Sequence, residues 1–125
     1  MGTPQRITRA MEDTARYVIT RHLQDHAAEF YGLEVAKDLG YGPATIYPVL
    51  RRMVDATWLL VRDEKSEEPR MTGRPPRTYF RVNPETLPAL CQRLAEVDAR
   101  RRRRADPALR WNPLGGFGQS NGEAR

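Results

Sequence analysis

The sequence predicts a mainly helical fold that carries one small β-hairpin. Three segments before residue 56 repeat apolar residues at the spacing of three and four that one face of a helix requires. Two short segments rich in β-branched and aromatic residues follow, separated by a proline-rich stretch, and a fourth helical repeat comes after them. A chain of 125 residues can bury one core without disulfides, so we expect one globular domain with flexible ends.

The first two helices are predicted over residues 6–26 and 32–39, after a flexible N-terminus of residues 1–5. The core-facing side of the first helix is predicted to contain Ile7, Ala10, Met11, Thr14, Ala15, Val18 and His22. The second helix ends before Gly40-Tyr41-Gly42-Pro43, which predicts a tight turn. Two short helices joined by a glycine-containing turn have the outline of a helix-turn-helix.

The third predicted helix has a regular core-facing stripe, formed by Ile46, Val49, Leu50, Met53 and Val54. Its opposite side carries Thr45, Tyr47, Pro48, Arg51 and Arg52. Pro48 is unfavourable inside a helix, because it lacks an N–H and crowds the preceding turn. Two starts are therefore open: either Thr45 caps the helix and Pro48 lies in the first turn, or the helix begins near Pro43 and bends.

Two strands are predicted at Trp58–Val61 and Thr78–Val82, and the segment between them is long, proline-rich and basic. Residues 70–81 contain no acidic side chain but four arginines, namely Arg70, Arg74, Arg77 and Arg81. Two strands around a basic loop of this kind are typical of a wing. The sequence therefore predicts a winged helix-turn-helix over residues 6–83.

A last helix is predicted over residues 84–104, with Asn83 as its cap and Pro84 in its first position. Its apolar stripe consists of Leu87, Leu90, Cys91, Leu94 and Val97. The preceding domain can close its core without this stripe, so we interpret the stripe as a subunit interface and expect a homodimer. Residues 105–125 are rich in glycine and proline and have no periodicity, which predicts a disordered tail.

The net charge of +5 does not by itself indicate DNA binding by the domain. Residues 1–99 contain 14 basic and 14 acidic residues, so the excess lies entirely in residues 100–125. Five consecutive arginines, Arg100 to Arg104, can bind nucleic acid non-specifically or favour a helix C-terminus. DNA binding by the domain must therefore be argued from the local clusters on the third helix and in the wing.

Other function classes find little support in the sequence. His22 and His26 have the spacing of zinc ligands, but Cys91 is the only thiol, so we expect no metal and no disulfide. No catalytic set or nucleotide loop stands out, so we expect neither an enzyme nor a cofactor. No apolar run is long enough to span a membrane and no signal peptide is evident, which predicts a cytoplasmic protein. Aromatic residues that could either pack or line a ligand pocket are Tyr17, Tyr31 and Tyr41.

Three segments resemble the PadR family of winged-helix regulators. They are Tyr31-Gly32-Leu33-Glu34-Val35-Ala36-Lys37-Asp38-Leu39, Ala44-Thr45-Ile46-Tyr47-Pro48-Val49-Leu50-Arg51-Arg52-Met53 and Gly73-Arg74-Pro75-Pro76-Arg77-Thr78-Tyr79-Phe80-Arg81-Val82. The resemblance implies repression by a homodimer bound to a roughly palindromic operator in double-stranded DNA. It leaves open whether a small-molecule effector acts on the protein. The family usually has glycine where this chain has Thr57, a position that often requires a positive φ.

The residues predicted to contact DNA are Pro43, Ala44, Thr45, Tyr47, Pro48, Arg51, Arg52, Arg74 and Arg77. The third helix would enter the major groove, where Thr45 can reach base edges or thymine methyl groups and Arg51 can reach bases or phosphates. The arginines of the wing flank two prolines and suit phosphates or the minor groove. Glutamates on the entering side of the wing would repel phosphates, so only the exiting side is expected to touch DNA.

A second function remains open from the sequence. Winged helices also serve as protein-interaction modules or accessory subunits, and a fold does not fix its function. In that case the third helix is a solvated surface with a packed tyrosine, and the wing is a solubilising hairpin tip. The zero net charge of residues 1–99 is compatible with this alternative.

Overall fold

The computed structural model describes residues 6–64, 73 and 75–106. Within them, the elements follow the order α1 (Arg9–Gln24), β1 (Phe30–Tyr31), α2 (Gly32–Leu39), α3 (Pro43–Asp55), β2 (Leu59–Asp63), β3 (Thr78–Val82) and α4 (Leu87–Ala105). The mainly helical fold with a small β-sheet is thereby confirmed. The chain divides into two compact units, residues 1–91 and 92–125. The predicted flexible N-terminus and all of the predicted tail except Ala105 and Asp106 lie outside the described residues.

Helix α1 is shorter at both ends than the sequence predicted. Thr8 caps its N-terminus, where its Oγ1 accepts a hydrogen bond of 3.2 Å from the Met11 N–H. Because a cap residue has extended backbone, residues 6–8 cannot belong to the helix. The helix ends at Gln24, since Asp25 is extended with φ −154°. Of the predicted core-facing side, Met11, Thr14, Ala15, Val18 and His22 are buried. Ile7 and Ala10 are only half-buried, and Ile7 lies before the helix.

The sheet is antiparallel and has the strand order β1-β3-β2. The central strand pairs Phe80 with Phe30 of β1 on one side and Val82 with Leu59 of β2 on the other. Strand β1 has only two residues, which is too short to show the alternation that identifies a strand in sequence. Its pairing with β3 matters for the rest of the structure, because it places the start of α2 beside the sheet.

The core lies between α1, α3 and the sheet. The stripe predicted on α3 is buried, with Ile46, Leu50 and Met53 at 0% exposure. Phe30, Leu59 and Val82 contribute the sheet side. Full burial of a side chain of this size stabilises the folded state by roughly 1.5–3 kcal/mol, so the inner side of α3 is firmly fixed. Its outer side is correspondingly held in one orientation toward solvent.

Helix α3 begins at Pro43, with Gly42 as its cap, which decides between the two predicted starts. Pro48 therefore lies inside the helix and leaves the Ala44 carbonyl without its usual helical N–H partner. Ala44 is exposed, so water can satisfy that carbonyl. Before the helix, Gly40 has φ 78°, a left-handed conformation that glycine adopts without steric cost.

Helix α4 begins at Leu87, so the prediction that it starts at residue 84 was wrong. The Asn83 Oδ1 accepts a hydrogen bond of 3.1 Å from the Glu85 N–H, and the Asn83 carbonyl accepts one of 3.2 Å from the Thr86 N–H. These bonds form a turn over residues 84–86 that competes with a helical start. At the other end, the helix includes Ala105, which the sequence had assigned to the tail.

Thr57 has φ 67°, the left-handed conformation anticipated at the position where the resemblance led us to expect glycine. It follows the end of α3, where its N–H donates to the Val54 carbonyl and the Trp58 N–H donates to the Met53 carbonyl, both at 2.9 Å. This is the Schellman motif. The Thr57 carbonyl is held by the Thr86 Oγ1 at 2.7 Å and the Asn83 Nδ2 at 2.9 Å, so surrounding bonds keep a β-branched residue in a strained conformation.

We expect Thr57→Gly to raise the free energy of unfolding by about 1 kcal/mol, because glycine has no left-handed penalty. The backbone bonds at this position remain in the variant. Urea denaturation measures the change, and Thr57→Val, which keeps the branched side chain, should bring no gain. A destabilised glycine variant would show that contacts of the threonine side chain outweigh the backbone strain.

Candidate nucleic-acid interface

The outer face of α3 is exposed from Pro43 to Arg51. We use this name for its six exposed residues, Pro43, Ala44, Thr45, Tyr47, Pro48 and Arg51. All six belong to the set that the sequence predicted to contact DNA. No described residue forms a hydrogen bond or an ion pair with the Arg51 guanidinium. The face therefore presents one free cation and a largely apolar surface to a partner.

Arg52, the seventh predicted contact on α3, is turned toward the chain itself. It is half-buried, and its Nη2 donates a hydrogen bond of 3.1 Å to the Arg6 carbonyl. This bond ties α3 to the segment before α1. Arg51 and Arg52 are adjacent in sequence, but the 100° step between helical neighbours directs them to different surroundings.

Tyr47 lies directly against Gly32, the first residue of α2. A Cβ atom built on Gly32 would lie 2.1 Å from Cε1 and 2.9 Å from Cδ1 of the Tyr47 ring. Only a glycine allows the ring to approach the α2 backbone so closely. Tyr47 nevertheless keeps 48% of its surface exposed. The ring is thus packed on one side and available to a partner on the other.

Two tyrosine hydroxyls connect α1 to α2 and to the turn that precedes α3. The Tyr17 hydroxyl donates to Asp38 of α2 at 2.6 Å, and the Tyr41 hydroxyl donates to Asp13 of α1 at 2.6 Å. Burial, together with the Asp38 hydrogen bond, raises the pKa of Tyr17 to about 12. The hydrogen bond to Asp13 is the main cause that raises the pKa of Tyr41. Both phenols stay protonated at neutral pH and serve as structural donors.

A groove with a volume of about 960 Å³ separates α3 from β2 and from the residues that lead into β3. Two large apolar side chains on its walls are unusually exposed, Leu33 at 55% and Val61 at 47%. Tyr47, Pro48 and Arg51 of the outer face also line it. The groove and the outer face are therefore one continuous surface, which is mostly apolar.

Arg77 is the predicted contact of the β2–β3 connection that the structure describes. Its guanidinium carbon lies 4.0 Å from the centroid of the Tyr31 ring, a cation–π contact. Its backbone N–H donates to the Glu64 Oε1 at 3.1 Å, and its carbonyl accepts from the Glu64 N–H at 2.8 Å. Arg77 is thus half-buried and fixed at the groove rather than free at a loop tip. Arg74 lies outside the described residues.

The five residues of the stripe predicted as a subunit interface differ in their burial. Leu90 is fully buried in the core of the first unit, so it is not available to a partner. Leu87 and Val97 are half-buried, Leu94 has 6% exposure and Cys91 is exposed. Cys91 is therefore accessible at the surface of α4. The five arginines, Arg100 to Arg104, belong to α4 and are all exposed.

The two histidines of the predicted zinc spacing stack on each other, with ring centroids 4.8 Å apart. In the part of the chain that the structure describes, no three histidine, cysteine or acidic side chains are grouped closely enough to hold a metal ion. The same described residues include no helix that is both long and apolar enough to cross a membrane.

Sequence reasoning missed three components of this surface, namely Gly32, Leu33 and Val61. The contact of Gly32 with Tyr47 depends on a long-range approach that no local pattern shows. Leu33 and Val61 have the apolar character of core residues, and only the structure shows that they line a groove.

Comparison with models of known protein families gives no match, and no curated protein matches the chain.

Proposed function

We propose that this chain is a sequence-specific transcriptional regulator of the winged-helix type, a repressor that binds double-stranded DNA. The observation that supports it best is the outer face of α3, which is exposed from Pro43 to Arg51 and carries Arg51 without a partner among the described residues. A helix held by one buried side and open on the other has the form that helix-turn-helix proteins insert into the major groove. Arg77, at the rim of the same surface, provides a second cation.

In this proposal, α2 and α3 are the helix-turn-helix and the β2–β3 connection is the wing. Thr45 and Tyr47, near the start of α3, face the base edges, because the N-terminal residues of a recognition helix contact bases. Arg77 contacts a phosphate, and its stacking on Tyr31 reduces the conformational entropy lost on binding. The Tyr17 and Tyr41 hydroxyl bonds fasten α2 and the turn to α1.

We further propose a homodimer that reads a roughly palindromic operator, as a two-fold symmetric protein does. Leu90 is excluded from the interface by its burial, which leaves Leu87, Cys91 and Val97 as its accessible candidates in α4. Sedimentation at micromolar concentration tests this assembly directly. A monomer would leave a single half-site as the expected DNA target.

The experiment that tests the function is a selection of bound duplexes from random DNA, performed with the full chain. We expect two related half-sites in inverted orientation, about 10–10.5 base pairs apart from centre to centre. The variant Thr45→Asp, which places a negative charge on the outer face, should enrich no sequence. Failure of the unmodified chain to bind any duplex at low salt would refute the proposal.

A second candidate function is favoured by the groove. Leu33 and Val61 are exposed apolar side chains on a concave surface, and such surfaces also bind short apolar segments of other proteins. An interaction module predicts enrichment of apolar sequences from a random peptide library, lost in Val61→Lys, and no DNA binding. The two selections therefore separate the two functions.

A further inference from the structure

The first two turns of the outer face offer a partner few hydrogen-bonding groups. Their exposed residues are Pro43, Ala44, Thr45, Tyr47 and Pro48. Only two of these side chains, Thr45 and Tyr47, carry a polar group, in each case a hydroxyl. Guanine and adenine are commonly read by arginine, asparagine or glutamine, and the first such side chain on this face is Arg51. Bidentate hydrogen bonding to purine edges is therefore not available to the leading end of α3.

The groove beside this end of α3 is apolar as well. Leu33 is 55% exposed and Val61 is 47% exposed, and both line the groove that Tyr47 and Pro48 also line. Burial of such a surface is favourable only when the partner supplies apolar atoms. In the major groove of DNA, the apolar group on a base edge is the C5 methyl of thymine.

The surface is also held in place before any partner arrives. The Tyr47 ring rests on Gly32 so closely that a Cβ there would overlap it, and Ile46 beside it has no exposed surface. A rigid aromatic ring loses little conformational entropy when it binds. Contacts of apolar groups, which are individually weak, gain from such a fixed geometry.

We propose that the leading end of α3 reads thymine C5 methyl groups in the operator, which contact the Thr45 γ-methyl, the Tyr47 ring and Pro48. This inference rests on the proposed DNA-binding function and specifies what feature of DNA that function reads. Each half-site then contains thymines at the positions that face the leading end of α3. Arg51, about one turn beyond Tyr47, adds a polar contact at a separate position.

Replacement of single thymines by deoxyuridine in the selected operator tests the proposal. Deoxyuridine removes the C5 methyl and keeps the base pair, so hydrogen-bond readout is unchanged. We expect affinity to fall by about fourfold for each methyl that α3 contacts, the effect of one methyl-sized group removed from a buried site. Thymines between the half-sites, which α3 does not face, provide the internal control.

Two variants of one residue locate the contact. We define a ratio for each position, the affinity for the operator with thymine there divided by the affinity with deoxyuridine there. Thr45→Ser removes the γ-methyl and keeps the hydroxyl, so this ratio should approach one at a single position. Thr45→Val keeps the γ-methyl, so the ratio at that position should be retained even if total affinity falls. Each ratio compares two duplexes bound by the same variant, so a general effect of the substitution on folding cancels.

The outcomes separate this inference from the function on which it rests. If no duplex is enriched, the DNA-binding function fails and the inference fails with it. If an operator is found but no thymine-to-uracil replacement in its half-sites changes affinity, α3 reads DNA by hydrogen bonds or shape and only the inference is wrong. If the ratio at every half-site position is the same in Thr45→Ser as in the unmodified chain, the Thr45 γ-methyl contacts no thymine methyl, and this also overturns the proposal.

Discussion

Replacement of Arg51 by alanine should lower affinity for the selected operator by roughly 5- to 150-fold, the range of ~1–3 kcal/mol that one base contact contributes. Affinity for a scrambled duplex should fall much less. The reason is position: Arg51 lies on the outer face of α3, is exposed and has no ion pair with a described residue. Its guanidinium is free to form a bidentate contact with a guanine edge.

Replacement of Arg77 should have a different signature. Its guanidinium is fixed over the Tyr31 ring at the rim of the groove, where a phosphate rather than a base is expected. In Arg77→Ala, affinity for operator and scrambled DNA should fall by the same factor, and the slope of affinity against salt should decrease by about one. Arg77→Lys keeps the charge and should retain most of that slope.

Affinity for both duplexes at several salt concentrations measures these effects. Arg9→Ala is the matched control, because this arginine is ion-paired with Asp13 in α1 and lies outside the proposed interface. It should alter neither preference nor salt slope. Equal loss on both duplexes in Arg51→Ala would mean that α3 touches DNA but that Arg51 does not read a base.

The sequence predicted the elements of the fold better than their ends. Helix α3 was recognisable because Ile46, Leu50 and Met53 repeat at helical spacing, and the structure buries all three. The start of α4 was misplaced, because Asn83 caps a turn as readily as it caps a helix. Strand β1 was missed, since two residues show no periodicity and are defined only by their pairing with β3.

The candidate site was also predicted only in part: the sequence indicated which residues are exposed, but not which distant residues they contact. Exposure of Thr45, Tyr47 and Arg51 followed from the position of the buried stripe, because residues opposite a core-facing side must face solvent. Contacts between distant segments could not be predicted, such as Arg77 on Tyr31 or the Arg52 bond to the Arg6 carbonyl. Those contacts decide which cations remain available to a ligand.

The contact between Gly32 and Tyr47 leads to the second prediction with a large effect. In Gly32→Ala, the new Cβ would lie 2.1 Å from the Tyr47 Cε1, so the ring must leave its position. We expect the free energy of unfolding to fall by about 1–3 kcal/mol, as in other overpacked sites. Operator affinity should fall as well, because the displaced ring no longer presents the same surface.

A double-mutant cycle isolates this contact from other effects of the alanine. In a Tyr47→Ala background the ring is absent, so Gly32→Ala should cost little or even stabilise α2, since alanine favours helix more than glycine does. Urea denaturation of the four proteins should therefore give a coupling energy of at least about 1 kcal/mol, whereas independent sites add within about 0.5 kcal/mol. Additive changes would mean that the ring rotates away without cost. In that case Gly32 would not be what holds Tyr47 at the interface, and unchanged operator affinity in Gly32→Ala would lead to the same conclusion.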